Sequence, residues 1–253
     1  HRDTCREIAL PMTQHAEHTL LVVCDFDDTA ADCNAAQRLI AEFAGPDAAA
    51  INQEYRDGAL TFRDYQEKIM STITAPVDQL KSWASDNVNL RCGFLQAVET
   101  TREQGGQFMI ASAGIDFYIE PVLAANGLAD VPILSVTGEP TAPDGTTMSF
   151  RYDYPSNREF CRDWAVCKCE PIEKARAAGQ KVIFIGDGLR SDSCAAEKAD
   201  TVFARSSLLE HCRKNGIEAI EFEDFHSIAK YISGFKLRPD QNPRNSTPTK
   251  ATE

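Results

Sequence analysis

The chain of 253 residues carries 26 lysines and arginines against 38 aspartates and glutamates, which gives a formal net charge of −12. This balance argues against a general surface for DNA, RNA or anionic membranes, because binding phosphate backbones requires clustered positive charge. A small anionic substrate, held by a metal ion and a few local cations, is compatible with it.

The apolar segments are short, and none reaches the roughly 20 residues that a membrane-spanning helix needs. Residues 1–18 lack the basic-then-apolar profile of a secretory signal, and we expect a loosely ordered leader there. The nine cysteines are mostly scattered, which favours a reduced, cytoplasmic protein. Residues 238–253 are rich in Pro, Asn and Thr, which predicts a disordered tail.

Short apolar runs alternate with helical patterns along most of the chain. The apolar runs predict buried strands at residues 20–26, 107–113, 181–187, 201–204 and 218–222. Helical patterns, several of them ended by Gly or Asn-Gly, predict helices at residues 94–105, 117–128, 171–179, 191–199 and 207–216. This alternation predicts an α/β fold with a doubly wound, mainly parallel, Rossmann-like sheet.

Residues 31–89 interrupt the alternation, because they contain helical patterns, at 35–43, 61–73 and 76–85 among others, and no convincing strand. We expect this cap segment, residues 31–89, to form a small helical cap over the sheet. The α/β core then comprises residues 19–30 and 90–237. Within the core, residues 131–154 predict a small β insertion around a Pro-Asp-Gly turn at 143–145.

Acidic and hydroxyl side chains stand at the ends of three predicted strands. Asp25 and Asp27 follow the first strand, Ser112 ends the second, and Asp187 and Asp192 follow the third. Ligands of open α/β sheets bind outside the carboxyl ends of the strands, so we expect these side chains to share one crevice. Four converging carboxylates repel one another and shift each other's pKa values, which a bound divalent cation relieves. Oxygen ligands with retained waters favour Mg²⁺.

These segments resemble the motifs of the haloacid-dehalogenase-type phosphotransferases. The residues Asp-Phe-Asp-Asp-Thr at 25–29 are similar to the first motif, Ser112 to the second, and the segment 186–192 to the fourth. The resemblance covers about residues 19–232. The resemblance implies that Asp25 is the nucleophile, which takes the phosphoryl group as an aspartyl phosphate. It implies that Asp27 is the general acid for the leaving alcohol and then the base for water.

The resemblance also implies how the phosphoryl group and the metal are bound. Ser112 and the backbone N–H groups around Ala113 and Gly114 are expected to hold the phosphoryl oxygens. Mg²⁺ is expected to be held by four residues, with a main-chain carbonyl as the ligand from the second of them: Asp25, Asp27, Asp187 and Asp192.

The second acid of the first motif, Asp27, is typical of phosphatases within this family. We therefore expect a Mg²⁺-dependent hydrolase that acts on the phosphate monoester of a small metabolite, with no nucleic acid or membrane as partner. Two alternatives stay open: a phosphotransferase or phosphomutase, and a non-catalytic protein that binds a phosphorylated ligand. The sequence does not predict the oligomeric state.

The chain departs from the phosphoserine-phosphatase-like subgroup, which it also resembles, in the third motif. That subgroup has a catalytic lysine in Cys-Lys-Pro, whereas this chain reads Cys-Lys-Cys-Glu-Pro at 167–171. We expect Lys168, nineteen residues before Asp187, to be the catalytic lysine, with Lys174 as the alternative. The departure leaves the substrate more open than the reaction class.

Three cysteines near this lysine form another group: Cys161, Cys167 and Cys169. Their spacing is not typical of a zinc site and no histidine lies close in sequence, so half-buried thiols or a disulfide are favoured over a bound metal.

Residues beside the motifs are further candidates. We expect Phe117 and Arg190 to line the substrate pocket, Asp28 to be a turn residue, and Asp32 to cap the first helix of the cap segment. Four side chains of the cap segment either face the site or form a solvated helix face: Tyr55, Arg56, Arg63 and Tyr65.

Overall fold

The computed structural model describes residues 19–141, 150–155 and 164–235. The expected leader, the expected tail, the Pro-Asp-Gly turn at 143–145 and Cys161 lie outside the described residues. None of the described helices is long and apolar enough to cross a membrane.

The described strands form one sheet in the order β4-β3-β2-β1-β5-β6-β7. Their bounds are β1 (Leu20–Cys24), β2 (Gln107–Ile115), β3 (Ile133–Pro140), β4 (Phe150–Asp153), β5 (Lys181–Gly186), β6 (Thr201–Ala204) and β7 (Ile220–Glu221). Neighbouring strands are parallel, except that β3 and β4 pair antiparallel. This confirms the predicted α/β fold with a doubly wound, mainly parallel sheet.

Strand β1 lies at the centre of this sheet, and its side chains enter two cores on opposite faces. Leu20, Val22 and Cys24 pack into one core, which includes residues of α5 (Phe94–Glu103) and α10 (Phe225–Ser233). The alternate residues Leu21 and Val23 pack into a second core, with residues of α7 (Cys169–Ala177), α8 (Leu189–Ala196) and α9 (Ser206–Asn215). Because successive side chains of a strand point to opposite faces, a strand covered on both sides is apolar throughout.

Between β1 and α5 the described chain contains four helices: α1 (Ala35–Phe43), α2 (Ala48–Arg56), α3 (Phe62–Met70) and α4 (Val77–Asn87). Helix α6 (Asp116–Ala125) follows β2 and packs against α4. The N-cap of α1 is Asn34, whose side chain accepts a hydrogen bond from the backbone N–H of Gln37. The expectation that Asp32 caps this helix is therefore wrong.

The chain leaves the central strand two residues earlier than predicted. Strand β1 ends at Cys24, and a single wide turn covers Phe26–Ala30. Asp28 lies in this turn with φ +57°, in the left-handed region, as suits the expected turn residue. The turn directs the acids that follow β1 toward the neighbouring strand ends instead of continuing into the sheet.

Candidate active site

The three strand ends that carry polar side chains are neighbours in the sheet. Strand β1 lies between β2 and β5, so that Asp25, Ser112 and Asp187 meet at the carboxyl edge. The backbone N–H of Asp25 donates to the carbonyl of Ile185 at 2.9 Å, which joins the end of β1 to β5. The crevice expected from the sequence is thus a consequence of strand order.

A buried ion cluster lies at this edge. The Nζ atom of Lys168 is 2.7 Å from Oδ1 of Asp25 and 2.6 Å from Oδ1 of Asp192. Lys168 and Asp192 have no exposed surface, and Asp25 is 7% exposed. The structure therefore places Lys168 in the site, whereas Lys174 lies exposed in the last turn of α7.

Burial and charge act in opposite directions on this cluster. Burial lowers the pKa of Lys168, but the two carboxylates outweigh this effect and hold its pKa above the ordinary value. Burial raises the pKa of Asp25, the Lys168 ammonium opposes the shift, and the carboxylates of Asp192 and Asp187 add to it. One buried ammonium among three carboxylates leaves an excess of negative charge.

Asp192 is oriented by the backbone that follows β5. Its Oδ2 accepts hydrogen bonds from the backbone N–H groups of Asp187 at 3.2 Å and Gly188 at 2.9 Å. A side chain at Gly186 would place its Cβ 2.6 Å from the same oxygen, so only glycine leaves room for this carboxylate. The hydroxyl of Thr29 donates to Oδ1 of Asp187 at 2.8 Å, which orients the neighbouring acid.

The acidic cluster fits a hard divalent cation. Asp25, Asp187 and Asp192 each offer a carboxylate oxygen, and these oxygens all lie within 4.8 Å of one another. Burial, followed by the charge of Asp192, raises the pKa of Asp187 to about 6. A divalent cation would neutralise the excess charge, and an all-oxygen donor set suits Mg²⁺. The side chain of Asp27 is not part of this set, in keeping with a carbonyl ligand from that residue.

The side chain of Asp27, from the turn after β1, lies apart from this cluster and contacts the first backbone N–H groups of α1. Its Oδ1 accepts from the backbone N–H groups of Ala35 at 2.7 Å and Ala36 at 3.2 Å, and its Oδ2 accepts from the hydroxyl of Tyr118 at 2.9 Å. Burial raises the pKa of Asp27 to about 6, although these hydrogen bonds lower it. A carboxyl group with a pKa near neutrality is suited to gain and lose a proton during turnover.

Residues 112–114 lie near the carboxyl end of β2, where its register with β3 shifts between Ala111 and Ile115, and we call this irregular segment the loop 112–114. The Oγ atom of Ser112 accepts from the backbone N–H of Gly114 at 3.0 Å, and Ser112 is 1% exposed. A Cβ at Gly114 would lie 1.9 Å from the hydroxyl oxygen of Tyr118, so the loop requires glycine there. The carbonyl of Ala113 accepts from Nε2 of Gln66 at 2.9 Å, which connects helix α3 to this loop.

A cavity of about 730 Å³ opens over these groups. Asp25, Asp27, Ser112 and Asp187 contribute to its lining, as do residues of α1, α2 and α3. Arg190 lines it as expected, and Arg190 also donates to the hydroxyl of Tyr55 at 3.2 Å. Among the four side chains of the cap segment that the sequence left open, three line the cavity: Tyr55, Arg56 and Tyr65. The fourth, Arg63, lies over the ring of Tyr154.

The expectation that Phe117 lines the pocket is wrong. Phe117 is 2% exposed and stacks on Phe150 with a centroid distance of 5.6 Å, inside the core. Tyr118 faces the cavity instead. Phe117 was expected there because it lies close to Ser112 in sequence. Adjacent residues of a helix point about 100° apart, so closeness in sequence does not decide which of the two side chains faces the cavity.

Several residues of the site were not singled out from the sequence. Gln66, Tyr118 and Trp164 line the cavity, and Arg91 donates to the carbonyls of Asp28 at 2.8 Å and Thr29 at 3.0 Å, which holds the turn after β1. Tyr118 follows the second motif closely, and this position was a usable signal. The other three are brought in by tertiary packing from distant segments.

The cysteines near Lys168 form no metal site among the described residues. Cys167 and Cys169 are buried and pack against Cys194 of α8. The described chain offers no group of three metal ligands apart from the acidic cluster. Within that part of the chain, the burial of Cys167 and Cys169 favours packed thiols over a zinc site, and they are more buried than the half-buried thiols expected from the sequence.

Comparison with known proteins finds relatives over most of the chain. The profile of the haloacid dehalogenase-like hydrolases matches residues 22–197, more than half of the chain. A 2-hydroxy-3-keto-5-methylthiopentenyl-1-phosphate phosphatase from Bacillus cereus is 26% identical over 223 residues, which cover 87% of this chain and 100% of the relative.

Solved structures share the fold. A HAD family hydrolase from Salmonella enterica subsp. enterica serovar Typhi has a TM-score of 0.66 at 19% identity, and covers 85% of this chain and 72% of that chain. A phosphoserine phosphatase described as a phospho-aspartyl intermediate analogue has a TM-score of 0.61 at 22% identity, and covers 83% of this chain and 97% of that chain. The profile match includes every strand-end acid of the site, and the chain belongs to the haloacid dehalogenase-like hydrolase family.

Proposed function

We propose that the protein is a Mg²⁺-dependent phosphatase that hydrolyses the phosphate monoester of a small metabolite through an aspartyl phosphate on Asp25. The observation that carries this proposal is the buried contact of Lys168 with Asp25 and Asp192, beside the carboxylate of Asp187. The named relatives support the substrate class, because they are phosphatases of phosphorylated small molecules.

Asp25 acts as the nucleophile in this proposal. A carboxylate and a phosphate dianion repel each other, so the attack requires nearby positive charge. Lys168 holds the Asp25 carboxylate at 2.7 Å and supplies part of that charge. Asp25, the carbonyl of Asp27, Asp187 and, directly or through water, Asp192 would hold Mg²⁺, which would supply the rest of that charge and polarise the phosphoryl oxygens.

Asp27 moves the protons. As the bond from Asp25 to phosphorus forms and the bond from phosphorus to the leaving oxygen breaks, protonated Asp27 gives its proton to that oxygen. The resulting carboxylate then takes a proton from water, which attacks the aspartyl phosphate and releases inorganic phosphate and free Asp25. The pKa of about 6 makes both protonation states accessible near neutral pH.

The loop 112–114 binds the phosphoryl group. Ser112 is buried and lines the cavity together with Asp25, and the backbone N–H of Gly114 donates to its Oγ atom. The Ser112 hydroxyl and the neighbouring backbone N–H of Ala113 are the proposed donors for phosphoryl oxygens. Such fixed donors stabilise charge that develops in the transition state. Gln66 of α3 contacts this loop, so the cap segment and the phosphate site are coupled.

We place this activity in the cytoplasm. The nine cysteines are mostly scattered along the sequence, in line with a reducing compartment. The division of the chain into a core and a cap segment that closes over small substrates belongs to the same proposal.

Release of phosphate from p-nitrophenyl phosphate tests the proposal. We expect turnover with Mg²⁺, none with EDTA, and none in Asp25→Asn. Asp32→Asn is the matched control, because Asp32 is exposed in the same stretch and should retain turnover. A wild-type protein without turnover would favour the non-catalytic binder, and phosphate delivered to an added alcohol in preference to water would favour a phosphotransferase.

A further inference from the structure

The lining of the cavity combines two kinds of chemistry. The strand ends and the turn after β1 contribute acids: Asp25, Asp27, Asp28 and Asp187. The cap segment and Trp164 contribute aromatic and aliphatic side chains: Ile40, Tyr55, Phe62, Tyr65, Ile69, Met70 and Trp164. At about 730 Å³ the cavity has the size of a site for a drug-sized ligand, so a leaving group much larger than the phosphate fits.

Four rings in the lining of the cavity form a contiguous aromatic cluster: Tyr55, Phe62, Tyr65 and Trp164. Tyr55 and Tyr65 stack with centroids 4.4 Å apart and an interplanar angle of 20°. Phe62 packs edge-on against Tyr55 at 6.2 Å and contacts Trp164 at the same distance. The contact of Phe62 with Trp164 joins the cap segment to the core within the lining of the cavity.

The tyrosine hydroxyls of the cluster already have partners. Tyr65 donates to Oδ1 of Asn52 at 2.8 Å, and the hydroxyl of Tyr55 accepts from Arg190 at 3.2 Å. Tyr55 also stacks on Tyr65 and has Arg190 over its ring, so the groups left for a ligand are ring edges and the ring faces outside these contacts. Rings of this kind bind other flat rings by offset stacking or edge contacts.

The charges of the lining disfavour a cationic or amino-acid substrate. Besides the four aspartates that follow β1 and β5, the charged side chains among the described lining residues are Arg56 and Arg190. Arg190 lies over the ring of Tyr55, so a substrate ammonium bound against this ring would lose its hydration and would meet a guanidinium group. A neutral aromatic group meets neither cost.

Gln66 adds one polar requirement. It is 5% exposed and lines the cavity, and its Nε2 is engaged by the carbonyl of Ala113. Its Oε1 is buried and has no hydrogen-bond partner among the described residues. A buried acceptor without a donor is costly, so a substrate O–H or N–H near the phosphate would be favoured.

Building on the proposed phosphatase function, we propose that the substrate is the phosphate monoester of an alcohol that carries a neutral aromatic group and an O–H or N–H donor for Gln66. The reaction consumes water and releases inorganic phosphate and the aromatic alcohol. The aromatic cluster binds the ring, and Gln66 accepts from the donor.

A panel of phosphate esters tests this inference through kcat/KM with Mg²⁺ present. Butanol and 2-phenylethanol have similar acidities, so the ratio of 2-phenylethyl phosphate to n-butyl phosphate reports ring binding. We expect that ratio to be about threefold to tenfold in the wild-type protein. A hydroxyl, in 2-hydroxy-2-phenylethyl phosphate, should add about a further fivefold.

Two variants separate the cluster from general stability. Phe62→Leu retains an apolar side chain but removes a ring, and should bring the phenylethyl-to-butyl ratio close to one. Trp83→Leu is the matched control, because Trp83 packs on Phe43 at 5.8 Å and does not line the cavity. Its ratio should equal that of the wild-type protein.

Other results would overturn the inference. Higher kcat/KM for O-phosphoserine or phosphocholine than for the phenylethyl esters would do so, as would an unchanged ratio in Phe62→Leu. If p-nitrophenyl phosphate is turned over while the aromatic preference is absent, only this inference fails. If no phosphate ester is turned over, the phosphatase proposal fails together with it.

Discussion

The buried lysine offers the sharpest perturbation of the site. Lys168 and Lys174 lie six residues apart in the same segment, but Lys168 has no exposed surface and Lys174 is exposed. Substituting methionine at each position removes a charge and keeps most of the apolar stem. Lys168→Met leaves the carboxylates of Asp25 and Asp192 buried without the ammonium that lies 2.7 and 2.6 Å away.

Removing one partner of a buried ion pair costs about 3–5 kcal/mol, and an exposed substitution stays within about 0.5 kcal/mol. We therefore expect Lys168→Met to lose about 3–5 kcal/mol of unfolding free energy, measured by urea denaturation in EDTA near neutral pH. With Mg²⁺, its kcat/KM for p-nitrophenyl phosphate should fall at least about a hundredfold, as for the loss of one donor to a developing charge.

Lys174→Met should match the wild-type protein in both assays. The reasoning is refuted if Lys168→Met retains wild-type stability and turnover, or if Lys174→Met is equally damaging. In the second case the lysine of the third motif would be Lys174, which the sequence alone left open.

Three further predictions concern the acids and the phosphate loop. The pKa of Asp187 in the folded protein is about 6, against an ordinary value of 3.8, so without metal the folded state disfavours the charged carboxylate. The contribution of protonated Asp187 to the unfolding free energy is therefore complete below pH 3.8 and is lost as the pH rises through 6. In EDTA at neutral pH, the unfolding free energy of Asp187→Asn, measured by urea denaturation, should therefore exceed that of the wild-type protein by about 1–3 kcal/mol. A difference in unfolding free energy that stays the same at acidic pH would contradict this. Asp27→Asn should lose most of its turnover but still bind Mg²⁺ in calorimetry, because the proposed ligand is a carbonyl; loss of binding would contradict that ligand. Gly114→Ala should lower kcat/KM by about a hundredfold, because its Cβ would lie 1.9 Å from the hydroxyl oxygen of Tyr118, whereas Gly234→Ala, with 3.4 Å to its nearest atom, should have wild-type activity.

The sheet and the position of the site could be predicted because both depend on local signals. A parallel strand covered on both faces must be apolar throughout, so runs such as residues 20–24 stand out, and the polar residues that follow them mark one edge of the sheet. The short helix α2, in contrast, has a weak apolar pattern around its one buried residue, Ile51, and was not singled out. Helix α10 has a clear apolar face, but no helix was predicted there from the sequence.

The rest of the site depends on information that lies outside local sequence. Whether Lys168 or Lys174 is buried is decided by how α7 packs on the sheet. The exchange of Phe117 for Tyr118 depends on the helix phase to within one residue. Gln66 and Trp164 reach the cavity from positions 47 or more residues away from Ala113. Such contacts appear only once the chain is folded.

Trapping the phosphorylated protein tests the central claim most directly. Asp27→Asn should slow hydrolysis of the aspartyl phosphate because the base for water is missing, so rapid acid quenching with Mg²⁺ and a reactive phosphate ester should capture it. Mass spectrometry of proteolytic fragments is predicted to find one phosphoryl group on Asp25, and none in the double variant Asp25→Asn/Asp27→Asn. Phosphorylation of another residue, or steady turnover by Asp25→Asn, would contradict the account.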